Sequence, residues 1–448
     1  MDKRTSYQAI LRESQSLYNA AKRCGEEHSL EECINTLVLA PSLMAFTLWV
    51  IEEAKRKRNK HLYFLARDGY HMYYIAKRLI EQMGDSITCH YLYCSRYSLR
   101  SATYDRDIKE TLSYICRNAQ VVTRRILLKR AGLTKEEIAS VMRALNEEGI
   151  QDENLTVTEL EEVKHRLSTC QEFREAVSHN AIKKRPALMG YLEQEGFFNQ
   201  QERLGIVDSG WTGTMQKKLT MLRDIKGVKT PIDGYYWGLY QTPRSMDTRT
   251  YNTYQFAKKG SRREKIYFSN SLFEALVMAP HGMCTGYKKE GGLYVPILSA
   301  IEERTKEFCT EVRQDIKRYT NRFLEGYGNY DKQEEKVNRK VVMRLMKEFM
   351  SAPSLEEAST YGSLLFTDDI LDDEKKRVIA RDLTKQEIKE SQLLHKLAIT
   401  LGLKRGKVEE QAWQEGSIVL NGSNTKANLR RYRRFKYFRY VKMERSGT

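Results

Sequence analysis

The sequence predicts an α/β protein with a parallel sheet core, a large helical insertion and helical flanks, and three observations carry that expectation. Two short apolar runs, His61–Ala66 and Ile87–Ser95, bracket a segment of helical periodicity, which makes a strand–helix–strand unit. A third run, Leu204–Val207, passes through Asp208-Ser209-Gly210-Trp211-Thr212-Gly213-Thr214 into another helical pattern. Between these blocks, residues 107–199 are charge-rich and helical in pattern.

In chain order, residues 1–60 read as helical. Their most apolar run, Leu37–Ile51, contains Pro41, is too short to span a bilayer and is closed by Lys55-Arg56-Lys57-Arg58, so a buried helix is expected. His61–Ala66 suits a buried strand, and Arg67-Asp68-Gly69 breaks it. From Tyr70 to Met83, apolar residues such as Met72, Ile75, Ala76 and Leu79 recur at helical spacing. Capping boxes are expected at Thr134 with Glu137 and at Thr158 with Glu161. Leu127–Ala144 has the form of a helix-turn-helix, a form shared by many helical hairpins. Tyr235–Tyr240 is a further strand, and 300–415 is helical with mixed charge. The expected segments are a helical region 1–60, an α/β core 61–106 with 200–299, an insertion 107–199, a helical region 300–427 and a basic-aromatic tail 428–448.

Composition agrees with a folded chain. Of 448 residues, 41% are hydrophobic and 30% charged, too apolar for disorder. No internal repeat of useful length is visible, which argues against solenoids and propellers. Eight cysteines are scattered without a CxxC pair, against a metal or disulfide framework and in favour of reduced thiols in a cytoplasmic chain. MDKRTSYQAILRES has no apolar signal-peptide core. The net charge of +17 calls for an anionic partner without choosing among nucleic acid, membrane surface and phosphorylated substrate.

Two strand-to-helix loops carry the chemistry, because open α/β sheets bind ligands at strand carboxyl ends. In the second loop, Gly210 and Gly213 would let the backbone approach a ligand. Ser209, Thr212 and Thr214 supply hydroxyls, and a helix N-terminus follows: together a phosphate cradle. Asp208 would bind a metal ion or sugar hydroxyls. In the first loop, Arg67 and the Gly69 backbone suit a second anionic group, with Asp68 available for Mg²⁺ or a sugar. Such acids also cap helices, and such an arginine also pairs with an acid; the coincidence of two loops favours a site.

VDSGWTGT resembles a shortened signature loop of the type I phosphoribosyltransferases, with FLARDG in the place of their diphosphate loop. FLARDGYHM, YLYCSRYSLR, VDSGWTGTMQ and SLFEALVMAPHG together resemble a bacterial polysaccharide-assembly family over about residues 40 to 290, and PSLEEASTYGSLLF more weakly. The resemblance implies a type I phosphoribosyltransferase-like, Rossmann-like core. The implied reaction moves 5-phosphoribosyl from phosphoribosyl diphosphate (PRPP) to a saccharide hydroxyl in O-antigen or capsule synthesis. It also implies Mg²⁺, a lipid-linked glycan acceptor at the cytoplasmic face and a HAD-type phosphatase acting afterwards.

On that resemblance, Arg67, Asp68 and Gly69 would serve the diphosphate, Asp208 the ribose or metal, and Ser209 to Thr214, Trp211 included, the 5-phosphate. Asp68, Glu274 and His281 are offered as bases, and Arg96, Arg100 and Asn270 as diphosphate or acceptor contacts. Departures are the shorter loop and Asp208-Ser209 where the general fold family has two adjacent acids. The chain is not itself the phosphatase, since Asp68 and Asp208 are followed two residues on by Tyr70 and Gly210, not by a second Asp. Alternatives are a nucleobase phosphoribosyltransferase and a nucleic-acid-binding or processing protein. From Asn428 to Thr448 the tail has eight basic residues and one acid with five aromatic rings interleaved, which suits an anionic membrane surface and equally single-stranded nucleic acid. The lipid-linked acceptor implied by the resemblance favours the membrane, at the inner face of the cell membrane, over nucleic acid.

Overall fold

A computed structural model describes residues 2–117, 122–149, 153–199, 202–243, 246–366, 377–390 and 410–445. Its centre is a five-stranded, all-parallel sheet in the order β2-β1-β3-β4-β5. The strands are β1 (His61–Leu65), β2 (Thr88–Leu92), β3 (Leu204–Trp211), β4 (Ile232–Leu239) and β5 (Tyr251–Phe256).

The sheet is covered on both faces, as a parallel sheet requires. Leu62 and Phe64 of β1 join one core with Met72, Ile75 and Leu79 of the helix Gly69–Met83. Tyr63 and Leu65 point the other way, into a core with Leu219 and Leu222 of the helix Thr214–Ile225. The helix after β1 and the helix after β3 therefore lie on opposite faces, although β1 and β3 are neighbours. Their connections diverge, and a crevice opens between the two strand ends.

Several elements differ from expectation. β3 continues through Asp208, Ser209 and Gly210 to Trp211, so most of the expected loop is strand. The cause is β4, which pairs Asp208 with Tyr236, Gly210 with Gly238 and Trp211 with Leu239. The second capping box sits two residues earlier, where Thr156 and Glu159 satisfy each other's backbone amides. The first, Thr134 with Glu137, is as expected. β5 and the antiparallel hairpin of β6 (Cys284–Glu290) and β7 (Leu293–Leu298) add to the expected strands.

The apolar run near the N-terminus belongs to a longer helix than expected. Among the described residues, Leu30–Arg56 is the one helix long and apolar enough to cross a bilayer, and its apolar window is wholly buried in protein. It passes Pro41 through a π turn at Asn35–Leu39, where the Ala40 amide donates to Asn35 O. That wider turn immediately precedes the proline, which has no N–H to give.

The described residues of 107–199 are mostly helical and build a second core that includes Leu112, Leu127, Val141 and Phe173, while Leu188, Tyr191 and Leu192 join the Tyr63 face of the sheet. Both helices of the Leu127–Ala144 segment bury residues in that second core. The expected tail is a helix, Thr425–Arg445, folded onto the body. Leu429, Tyr432 and Phe435 pack with Ile418 and Val419, and buried Lys436 pairs with buried Glu415 at 3.0 Å. Replacing Glu415 with Ala leaves the Lys436 charge buried without its counterion. The expected loss is about 3–5 kcal/mol, measured by urea denaturation.

Candidate functional site

The crevice between β1 and β3 is a cleft of about 260 Å³. β1 ends at Leu65, and the chain turns through Ala66, Arg67 and Asp68 into the helix at Gly69. Glycine suits position 69, where a Cβ would stand 3.0 Å from the Phe64 backbone. β3 brings Asp208 alongside, and Ser209 donates its hydroxyl to Asp68 Oδ2. Asp68 and Asp208, expected to act from two loops, thus share one wall.

Glu274 joins them from the helix Asn270–Val277, accepting a hydrogen bond from the Trp211 indole N–H at Oε1. Trp211 is buried among Phe256, Phe268 and Phe273, so it fills the core with its ring and reaches the cleft with its N–H. Arg67 and Arg96 line the same cleft. Neither guanidinium makes a hydrogen bond or contact ion pair among the described residues. Thr212 and Thr214 line it as well, beside the N-terminus of Thr214–Ile225.

The two glycines of β3 and its turn have structural duties. Gly213 is left-handed, φ +62°, and a Cβ would come within 2.5 Å of the Tyr251 ring. Gly210 has φ +132°, and its Cβ would fall 2.0 Å from Gly238 O. Close pairing with β4 therefore demands glycine at 210 independently of any ligand, and Gly210 also lines the cleft.

The remaining candidates are placed elsewhere. Arg100 is buried, paired with Glu110 at 3.2 Å and stacked 4.3 Å from the Tyr114 ring centre, away from the cleft lining. Asn270 opens its helix without lining the cleft. His281 lies behind the wall, with Nδ1 donating to Gly282 O at 2.8 Å and Nε2 accepting from the Tyr91 hydroxyl at 2.7 Å. Burial lowers its pKa and favours this neutral form. Both ring nitrogens are engaged, so it is a poor base as it stands.

Sequence reasoning did not anticipate Arg117, from the insertion, or Met278, Met283 and Ile301, which also line the cleft. Arg117 has no distinguishing signal in its charge-rich surroundings. The turn Glu290-Gly291-Gly292-Leu293 was a readable hairpin signal near the segment that supplies Met283.

Electrostatics concentrate here. Burial raises the Asp68 pKa, against the Ser209 hydroxyl and the Arg67 and Arg96 charges. Asp208 is held well above the carboxylate range by burial and by Asp68, with Arg96 opposing. Glu274 is pushed up to about 7 by burial first and by Asp68 second. Arg96 is solvent-reachable yet walled in. Desolvation works against its charge, but Glu274, Tyr114 and both aspartates raise its pKa. Three crowded carboxylates and two guanidiniums without a contact ion pair thus concentrate charge of both signs in one cleft.

Among the described residues no group of three or more His, Cys, Asp and Glu side chains is placed to hold a metal ion. Mg²⁺ nonetheless fits Asp208, and Asp68 beside it, because this ion takes one or two carboxylates and completes its shell with water and substrate phosphate. Burial first and repulsion from Asp68 second raise Asp208, and a cation would relieve the repulsion. A comparison with protein-family models finds none that matches this chain, and a search of curated proteins finds no match.

Proposed function

We propose that the chain is a PRPP-dependent phosphoribosyltransferase of type I-like, Rossmann-like architecture. It would place 5-phosphoribosyl on a saccharide hydroxyl during bacterial polysaccharide synthesis, in the cytoplasm or at the inner face of the membrane. The observation that carries the reading is the pair of guanidiniums, Arg67 and Arg96, that face a switch-point cleft beside Asp68, Asp208 and Glu274 without a hydrogen bond or contact ion pair among the described residues. A donor with a diphosphate at one end of a sugar and a phosphate at the other suits these arginines together with Thr212 and Thr214 in the same cleft.

In this reading Arg67 and Arg96 hold the diphosphate and oppose the charge that grows on its bridging oxygen. The Thr212 and Thr214 hydroxyls and the amides opening the helix at Thr214 hold the 5-phosphate. Asp208 orients the ribose hydroxyls, with Asp68 fixed beside it by Ser209. Mg²⁺, when bound with the donor, supplies further charge neutralisation on the diphosphate.

Glu274 takes the acceptor proton, and three features select it. It lines the cleft, one of its oxygens is held by Trp211, and its pKa of about 7 leaves it half ionised near neutrality. The bond from the anomeric carbon to diphosphate breaks, the bond to the acceptor oxygen forms, and the hydroxyl proton passes to Glu274. A separate HAD-type phosphatase would then remove the 5-phosphate.

The test is incubation with PRPP, Mg²⁺ and lipid-linked glycan, reading diphosphate release and the mass of the glycan. The expected result is stoichiometric gain of phosphoribosyl. Replacing Asp208 with Asn should cost about 10²-fold or more in kcat/KM, as loss of a group acting on the transition state does. Transfer to free nucleobases instead of glycan would refute the saccharide reading. Undiminished turnover in the Asp208→Asn variant would refute the site.

A further inference from the structure

The outward face of the carboxyl-terminal helix has a composition that its packing does not explain. The helix Thr425–Arg445 has 21 residues and spans about 30 Å at 1.5 Å per residue. Leu429, Tyr432, Phe435, Lys436 and Tyr440 bury its inner side. Helical periodicity gathers Lys426, Arg430, Arg431, Arg434 and Lys442 on the outer side, and all five are exposed. Tyr437 and Phe438 stand among them, 42% and 51% exposed. The helix's one acid, Glu444, turns to Arg262 at 2.7 Å and Lys265 at 3.6 Å, leaving the outer side with a single sign of charge.

We propose that this face docks on an anionic bilayer, its cations on lipid phosphates and the Tyr437 and Phe438 rings in the interfacial layer. Charge complementarity selects an anionic partner. The shape selects a membrane. Two neighbouring rings on the convex side of a helix enter a headgroup layer, whereas base stacking on a single strand uses rings set within a groove that tracks the phosphates. On the inner side Tyr440 stacks on Tyr240 at 5.5 Å, and Tyr240 lies 6.0 Å from the Trp211 ring of the cleft wall. The docked helix is therefore joined to the cleft through two ring contacts. This surface stands independently of the transferase reading, and its test uses no substrate.

The full chain is sedimented with vesicles of phosphatidylcholine alone and with about a third phosphatidylglycerol. Binding is expected with the anionic vesicles only and should weaken as salt rises. Joint replacement Arg430→Gln and Arg434→Gln should weaken it by about thirtyfold. Joint replacement Tyr437→Ser and Phe438→Ser should remove the part that survives high salt. An unchanged melting curve checks that these exposed positions leave the fold intact. Equal binding to both vesicle types, binding to neither, or full affinity in the arginine variant overturns the proposal. So does single-stranded RNA that binds more tightly than the anionic vesicles.

Discussion

Replacing Glu274 with Gln is expected to lower kcat for transfer by about 10²–10⁴-fold, the range that general-base catalysis supplies. In the wild type, kcat should rise with pH through about 7 as the Glu274 carboxyl ionises, and the variant should lose that rise. The same substitution should act oppositely on stability. The folded protein holds the Glu274 carboxyl at about 7 against an ordinary 4.5, so it keeps a proton that the unfolded chain has released. That contribution is complete below about 4.5 and disappears as pH rises through 7. Glutamine is neutral at every pH and still offers an oxygen to the Trp211 indole, so the variant should be the more stable protein above pH 7. Thermal melting across pH measures this. A merely structural glutamate would not combine lost turnover with gained stability.

Replacing Gly210 with Ala is expected to produce a large loss of stability for a single added methyl group. Its φ of +132° disfavours a side chain, and the new Cβ would stand 2.0 Å from the Gly238 carbonyl oxygen. That neighbour is backbone, held in register by the β3–β4 ladder, so it cannot move aside without breaking strand pairing. A cost of about 4–5 kcal/mol follows from strain and lost pairing together. Gly260 is the natural comparison. It too has positive φ, +73°, but nothing lies within 4 Å of an added Cβ, so Gly260→Ala should cost only about 1 kcal/mol. Denaturant titration of both variants measures the difference.

The parts of the fold legible in the sequence were those set by local pattern. β1, the helix Gly69–Met83 and β2 announce themselves by apolar runs and helical spacing, and the structure places them where those patterns lie. The parts that were not legible depend on distant partners. β3 extends through Asp208-Ser209-Gly210 only because β4 offers matching backbone, which composition rich in glycine and hydroxyls cannot reveal. The hydrogen bond from Trp211 to Glu274 links positions 63 residues apart, so no local signal joins them. Arg67 and Arg100 look alike as basic residues beside strand ends. One faces the cleft without a contact partner, while the other is buried against Glu110 and Tyr114, and tertiary packing alone separates them. By composition the tail is a separate basic-aromatic element. It is instead half core, since Tyr432, Phe435 and Tyr440 face inward and Tyr437 and Phe438 outward.

The most direct test of the central claim is thermal stabilisation of the intact protein by PRPP with Mg²⁺, compared with ribose 5-phosphate, diphosphate and single-stranded RNA. At a ligand concentration a hundredfold above Kd, binding adds about 2.7 kcal/mol to stability. A rise in Tm with PRPP that exceeds the rise with either half of the molecule, and that is lost in Arg96→Ala, is the predicted result. No shift with PRPP, or an equal shift in Arg96→Ala, would contradict the account.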